Sequence, residues 1–183
     1  MYTLLKSPSE TWLNQNLLEN LIDGILLFSS NGNCLFINEK AQQICRQLNN
    51  YSSRLTTSMP IEILRIQRAL ADSKNATETL TSPMMLNSEI KLPGLWIRIR
   101  AQRYGNINEP TCILIMLEDQ IQTLSQLAAN EAEKYELSDR ETEVWQLKRL
   151  GYPLAEIAKK LYISINTVKR HIKHINVKQL TNG

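Results

Sequence analysis

The chain has 183 residues and a formal net charge of +3. This length suits one domain of ordinary size and one small domain, because most domains have about 100 to 150 residues. No run of about 18 apolar residues is present, and the N-terminus lacks the apolar core and cleavage site of a signal peptide, which argues against membrane-spanning and secreted proteins. We therefore expect a cytoplasmic protein that does not bind a membrane.

The first stretch of the chain predicts a helix followed by a β-hairpin. Ser9 can cap the helix, which ends near Gly24. Its apolar side consists of Trp12, Leu13, Leu17 and Leu21, with Leu18 as a further candidate. Residues 25–29 and 34–38 are short apolar runs around an Asn31-Gly32 pair, and Asn-Gly between such runs is a strong hairpin signal. The helix has two candidate partners, a sheet and a second copy of itself.

Two more helices and three strands complete this N-terminal module. Asn38 can cap one helix, and a second is predicted from Pro60 to Ala71. The apolar positions are Ala41, Ile44, Cys45 and Leu48 in the first helix and Ile61, Leu64, Ile66 and Leu70 in the second. The predicted strands cover residues 84–91, 95–102 and 111–118. Residues 96–101 alternate between apolar and charged, as in a strand with one exposed face.

The segment LLENLIDGILLFSSNGNCLFINEKAQQIC resembles the opening of a PAS domain, a bacterial sensory module. That opening consists of a helix, D-G-I, a hairpin, and then an Asn and a small residue that start the next helix, and Asn38 and Ala41 occupy these two positions. Leu117-Glu118-Asp119 resembles the acidic pair at which PAS domains join their signalling helix. The resemblance implies an α+β fold with a five-stranded antiparallel sheet, here a sensory or dimerisation domain at residues 1–118. An unrelated α+β domain is the alternative.

The residues of this module limit the chemistry that it can perform. Both histidines, His171 and His174, lie near the C-terminus, which argues against a haem with an axial histidine. We expect no cofactor; a small unidentified ligand and a ligand-free module that docks another protein both stay open. Cys34, Cys45 and Cys112 are too widely spaced for a zinc site, and we interpret them as buried thiols. The alternative is a redox-active pair, which requires an accessible thiol of low pKa.

Sequence motifs of enzymes are missing. The chain contains no G-x-x-x-x-G-K loop, no nucleophile elbow and no H-E-x-x-H pattern. Its four aspartates do not follow the order of a phosphoacceptor domain. We expect a protein that is not an enzyme.

Residues 119–135 predict a helical connector, since they contain neither Gly nor Pro and are rich in helix formers. Ile121, Leu124 and Ala128 follow alternating steps of three and four residues, the spacing of a short coiled-coil seam. Two packings stay open: the connector pairs with its copy, or it lies on the sheet of its own chain. Because so short a helix is marginal alone in water, we expect it to pack and to act as a lever between the modules.

Residues 136–183 predict three short helices. Ser138 and Glu141 form an S-x-x-E capping box, so the first helix begins near Asp139. Gly151 and Pro153 form its stop signal. The residues expected inside are Val144, Leu147 and Leu150, then Leu154, Ile157, Ala158 and Leu161 on the second helix, and Val168, Ile172 and Ile175 on the third.

The third helix has a polar, basic outer face. Ser164 or Asn166 can cap this helix. Its outer face consists of Asn166, Lys169, Arg170, Lys173, His174 and Val177. From Lys134 onward, the chain contains ten Lys and Arg but only five Asp and Glu. This local positive charge suits the phosphates of nucleic acid.

The pattern L-S-D-R-E-T-E-V, G, E-I-A-K-K-L-Y-I-S and T-V-K-R-H-I-K-H-I resembles the helix-turn-helix of the LuxR/NarL (GerE-type) bacterial transcription regulators. The resemblance implies that Lys169, Arg170 and Lys173 reach base edges of double-stranded DNA, and Lys and Arg can donate to guanine O6 and N7. The residues expected at the DNA backbone are Thr167, His171, Asn166 and Lys160. A local backbone carbonyl is the alternative partner of the His171 ring.

These features together predict a homodimeric, sequence-specific transcription regulator, whose PAS-like domain senses a signal or partner and positions two DNA-binding heads. RNA polymerase or another regulatory protein is a further candidate partner. The alternative is a protein-interaction module with a DNA-binding end of low specificity.

One departure from the family bears on dimerisation. Its members usually continue through a K-L-G-type turn into a fourth helix that often makes the dimer contact, whereas here Lys178-Gln179-Leu180 leads to Gly183. We therefore expect the dimer to depend on the connector or the PAS-like domain. A fragment of residues 136–183 should be monomeric and bind DNA much more weakly than the full chain.

Overall fold

The computed structural model describes residues 16–51, 59–72, 85–105 and 111–182. The chain divides into two compact units, Met1–Asp119 and Gln120–Gly183, and the α+β fold class is confirmed. Most of the predicted first helix lies outside the described residues; residues 16–19 are helical. Within the described ranges, no helix is long and apolar enough to cross a membrane.

In the described part of the first unit, two helices pack against one face of a five-stranded antiparallel sheet. Its strands are β1 (Gly24–Ser29), β2 (Cys34–Ile37), β3 (Met85–Leu92), β4 (Leu95–Tyr104) and β5 (Cys112–Asp119), and its helices are α1 (Glu39–Tyr51) and α2 (Ile61–Asp72). The strands lie in the order β2-β1-β5-β4-β3. The predicted hairpin and the three later strands are confirmed, and the order of elements is PAS-like.

The core of this unit lies between the sheet and the two helices. Alternate residues of β4 and β5 point into it, as the alternation in β4 predicted. The fully buried side chains include Leu26, Phe28, Ile44, Ile63, Leu70, Ile97, Ile99, Ile113, Ile115 and Leu117. Side chains of this size, each worth about 1.5 to 3 kcal/mol when buried, fill the space between the layers.

Gly24, at the start of β1, lies against the backbone of α1. A Cβ atom at this position would lie 2.8 Å from the Cα atom of Ala41. Glycine in the strand and a small residue in the helix therefore allow these two elements to approach closely.

Asn38 connects the hairpin to α1 through four hydrogen bonds and is fully buried. Its Oδ1 accepts from the backbone N–H of Ala41 at 3.0 Å and of Ile25 at 2.8 Å. Its Nδ2 donates to the carbonyl oxygens of Leu18 at 2.9 Å and Asp23 at 3.0 Å. The predicted cap of α1 is confirmed, and the same side chain also fixes the backbone at the start of β1.

The buried face of α2 differs from the predicted one. The buried residues are Ile63, Gln67 and Leu70, whereas Ile61 is 43% exposed. Apolar residues occur on several sides of this helix, so periodicity alone could not select the inward face. The buried Gln67 amide packs beside Gly32 in the β1–β2 turn, a tertiary contact that favours this rotation of the helix.

The second unit consists of four helices: α3 (Gln120–Lys134), α4 (Asp139–Arg149), α5 (Leu154–Lys160) and α6 (Ile165–Thr181). Its core contains Val144, Ile157, Ala158, Val168 and Ile175, all on the predicted inward faces. The helical C-terminal domain is confirmed, and α6 continues without a turn past Lys178.

Three successive helices of this unit end in the same way. After α3, α4 and α5 one residue adopts left-handed geometry, and these residues are Glu136 (φ 48°), Gly151 (φ 84°) and Tyr162 (φ 55°). In each case the next N–H donates to the carbonyl five residues back, which defines a Schellman motif. Only the middle one has the glycine that predicts such an end, so the other two turns were not foreseen from the sequence.

Candidate nucleic-acid interface

The start of α6 is fixed by a side-chain cap. Ser164 is the N-cap residue, and its Oγ accepts from the backbone N–H of Thr167 at 3.0 Å. The two hydroxyl groups also share a hydrogen bond of 2.8 Å. Of the two predicted caps, Ser164 is the one that forms, which leaves Asn166 exposed in the first turn.

The inward face of α6 orients its outer face. Val168 and Ile175 are fully buried against α4 and α5, and Ile172 is half-buried. Ala158, 6% exposed, is the small residue on the buried face of α5. Because α6 is held on one side by these contacts, its opposite side faces away from the unit.

Lys169, Arg170 and Lys173 are exposed on this opposite side. Among the ion pairs of the described residues, none includes these three side chains. One helix face therefore presents three cations that have no carboxylate partner among the residues the structure describes. Such a face attracts phosphates and can donate hydrogen bonds to bases.

The residues predicted at the DNA backbone lie at the margins of this face. Lys160 is exposed at the end of α5, with its Nζ 4.7 Å from the centre of the Tyr152 ring. Thr167 and His171 are half-buried on α6. Their roles at DNA stay predictions.

A buried carboxylate ties the far end of α6 to the start of α4. Glu141, whose side chain is 7% exposed, accepts hydrogen bonds from the Ser138 N–H at 3.0 Å and from the Lys178 Nζ at 2.8 Å. Burial by itself would raise the pKa of Glu141, but the hydrogen bonds from Lys178 and Ser138 outweigh it and lower the pKa to about 2. His174 Nδ1 lies 3.8 Å from the same carboxylate. We call Glu141, Ser138 and Lys178 the Glu141 cluster.

The sequence predicted two of the three members of the Glu141 cluster. The capping box predicted the Ser138–Glu141 contacts, which are confirmed. The sequence assigned no structural partner to Lys178, yet its ammonium is bound to Glu141 and to the Glu136 carbonyl at 2.7 Å. No local signal could have found this, because the partners are 37 and 42 residues apart.

The connector helix α3 packs against α4 within the second unit. Ala128 is fully buried, while Ile121 and Leu124 are half-buried. The two packings considered from the sequence did not include this contact. The seam stays a prediction for Ile121 and Leu124, but Ala128 has no exposed surface to offer a second chain.

The cysteines lie in three different environments. Cys45 is buried, Cys112 is half-buried and Cys34 is exposed, so the prediction of buried thiols holds fully for one of them. Burial raises the pKa of Cys34 and raises that of Cys45 to about 12. These two thiols therefore lack the low pKa that a redox-active pair requires.

Comparison with known proteins agrees with the geometry of the second unit. Residues 135–181 match the family of bacterial regulatory proteins described as luxR family, GerE. Among curated proteins, none matches the chain in sequence.

Several solved PAS domains are similar to the chain. A PAS domain from a two-component sensor histidine kinase and one of an HTR-like protein from Haloarcula marismortui are each 14% identical, cover 62% of this chain and 99% of their own, and have TM-scores of 0.38. The PAS domain of BvgS from Bordetella pertussis is 15% identical, with 65% and 91% coverage and a TM-score of 0.36. At this level, the similarities carry no argument about ligands or partners.

The family match and the topology define the two parts of the chain. The second unit contains a LuxR-type helix-turn-helix domain, and the first unit has the strand and helix order of a PAS-like domain. Residues 135–181 are the GerE domain, and α6 is the helix that carries the predicted DNA-reading face.

Proposed function

We propose that the protein binds DNA as a homodimer and in a sequence-specific manner. The α6 helix of each copy enters the major groove, and the two half-sites lie about one turn of DNA apart. The PAS-like domain senses a signal or a partner and positions the two heads. A regulator of bacterial transcription meets its DNA in the cytoplasm, and RNA polymerase or a second regulatory protein is its further partner.

The observation that carries this proposal is the outer face of α6. Lys169, Arg170 and Lys173 are exposed there, opposite the buried Val168 and Ile175. A rigid helix with donors on one face can place them at fixed positions along base edges, which a flexible basic tail cannot do. This favours reading of sequence over general attraction to phosphate.

The side chains at the margins of this face suit the DNA backbone. Asn166 and Thr167 lie in the first turn of α6, where the positive end of the helix dipole favours a phosphate. Lys160 and His171 flank this turn from α5 and from the next turn of α6. Contacts of this kind fix the register of the protein on the duplex but do not discriminate bases.

Selection of bound sequences from a random DNA pool tests the proposal. We expect an enriched motif with two-fold symmetry. Lys169→Ala should change which bases are preferred, because one lost base contact costs about 1 to 3 kcal/mol of discrimination. Lys160→Ala is the matched control, and it should weaken all sequences alike. A pool without an enriched motif, or a Lys169→Ala motif identical to that of the wild type, contradicts the proposal.

A second candidate function is the capture of a partner protein by the PAS-like domain. The sheet face opposite the two helices favours it, since Met85 and Tyr104 are 55% and 44% exposed there and Leu114 and Met116 are half-buried. In this case the DNA-binding end would have low specificity. The same selection separates the two functions, because only the regulator predicts an enriched symmetric motif.

A further inference from the structure

Helix α3 is joined to α4 by a carboxylate that two side chains share. Glu131 accepts a hydrogen bond from the Trp145 indole Nε1 at 2.7 Å and from the Arg149 Nε at 2.7 Å. A second N–H of the Arg149 guanidinium donates to the other carboxylate oxygen, so the contact is bidentate. The guanidinium also lies 5.3 Å from the centre of the Trp145 ring. We call this set of contacts the Glu131 clamp.

The face of α3 that carries Glu131 is the apolar face of the helix. Ala128 and Ala132 are 0% and 8% exposed, and residues 121, 124, 128, 131 and 132 share this face through steps of three and four residues. The small alanines allow close packing, and Glu131 supplies a directed contact beside them. The last turns of the connector therefore pack against the DNA-binding unit of the same chain.

The corner between α3 and α4 leaves little freedom to the chain. Glu136 adopts left-handed geometry, and the Leu137 N–H donates to the Ala132 carbonyl at 2.9 Å. Ser138 then caps α4, so only Leu137 separates the left-handed residue that ends α3 from the cap of α4. Lys178 of α6 donates to the Glu136 carbonyl, which ties this corner to the DNA-reading helix.

We propose that α3 is a fixed arm of the DNA-binding head, which consists of α4, α5 and α6. In this proposal, Glu131 is the residue that sets the angle between α3 and α4. The proposal rests on the proposed function and deepens it. Glu131 acts through α4 and α6 on the direction in which the arm leaves the head. It is a positioning residue, and the spacing of half-sites that a dimer accepts depends on it.

A fixed arm differs physically from a flexible linker. The 15 residues of α3 span about 22 Å at a rise of about 1.5 Å per residue. A rotation applied at the start of a docked helix reaches α6 as a rotation of the whole head. If α3 were free at its C-terminal end, the α3–α4 junction would bend and would not transmit the rotation. The dimer would then accept many spacings between DNA half-sites.

Amide hydrogen exchange of the full-length protein tests the clamp without DNA. In the wild type, the amides of α3 near Glu131 should be protected together with those of α4. Glu131→Ala should speed exchange in this part of α3 by roughly tenfold, since it removes a charged hydrogen-bonded contact that is partly exposed. Glu133→Ala, which changes an exposed carboxylate on the same helix, is the matched control and should change exchange by less than about twofold.

Binding to DNA with altered half-site spacing tests the positioning role. Inserting about five base pairs between half-sites turns one of them to the other side of the duplex, so the wild type and Glu133→Ala should bind about tenfold more weakly. Glu131→Ala should lose most of this discrimination while keeping the same preferred bases. The salt dependence of binding should not change, because no phosphate contact is removed.

The two measurements separate failure of the arm from failure of the proposed function. Equal exchange in Glu131→Ala and Glu133→Ala, or unprotected α3 amides beside a protected α4 in the wild type, overturns the fixed arm even if the protein binds DNA. Spacing discrimination that Glu131→Ala retains in full overturns the positioning role. Exchange that follows the expectation without any spacing preference in the wild type supports the arm and contradicts the dimeric regulator.

Discussion

Replacing Glu141 by Gln should remove the charge that fixes the end of α6. The folded protein holds the pKa of Glu141 at about 2, against an ordinary value of 4.5. At about 1.4 kcal/mol for each pH unit between these values, the ionised carboxylate contributes about 3 kcal/mol to the free energy of unfolding at neutral pH. Because Gln keeps an acceptor for Ser138 but loses the charge opposite Lys178, we expect Glu141→Gln to cost about 2 to 3 kcal/mol.

The pH dependence of this effect has a definite sign. The folded-state pKa lies below the unfolded-state pKa, so as the pH falls the unfolded chain binds the proton first. The stabilisation is therefore complete above about pH 5 and is lost progressively toward pH 2. More than half of the difference between the wild type and Glu141→Gln should have disappeared at pH 3.

Urea unfolding of the full-length chain, followed by Trp145 fluorescence, measures this difference. Trp12 and Trp96 should be replaced by Phe in every sample, so that the signal reports the second unit alone. The free energy of unfolding is then compared at pH 7 and pH 3 from the linear dependence on urea.

Glu143→Gln is the matched control, because Glu143 lies on the same helix and pairs with Arg140 at 2.6 Å on the surface. It should change the free energy of unfolding by less than about 1 kcal/mol at both pH values. Equal costs of the two substitutions at pH 7, or an unchanged cost of Glu141→Gln at pH 3, would contradict a stabilising charge on Glu141.

Three further substitutions test contacts that order the two units. Gly24→Ala should destabilise the first unit by about 1 to 3 kcal/mol in urea, because its Cβ would lie 2.8 Å from the Ala41 Cα. Asn38→Ala should cost about 3 kcal/mol or more, since it leaves buried backbone groups without partners, and protected amides at the start of α1 should exchange faster. Tyr162→Gly should raise thermal stability by up to about 1 kcal/mol by relieving left-handed strain at an exposed side chain; an unchanged or lower melting temperature contradicts this.

The sequence predicted what neighbouring residues decide. The capping box at Ser138, the stop at Gly151 and the hairpin at Asn31-Gly32 all lie where local backbone chemistry places them. The strand alternation in β4 was also readable, because a two-residue period puts every second side chain in the core. The exposed face of α6 was also predicted correctly, because the inward residues of a regular helix define its outward side.

Tertiary packing determined which face of α2 is buried. In α2 the sequence offered apolar residues on several sides, and packing placed Ile63 and the polar Gln67 inside while Ile61 stayed exposed. The partner of Gln67 is the turn at Gly32, which is distant in sequence. Periodicity contains no information about such a partner.

Local sequence was enough to define the elements and the class of the DNA-binding end, because those depend on caps, turns and periodicity within a few residues. Long-range packing defines what the connector is attached to and what Lys178 contacts. Glu131 and Arg149 are 18 residues apart, and Glu141 and Lys178 are 37 apart. The sequence does not distinguish a charged side chain that faces water from one that faces a partner. These pairs form only when folding brings their helices together.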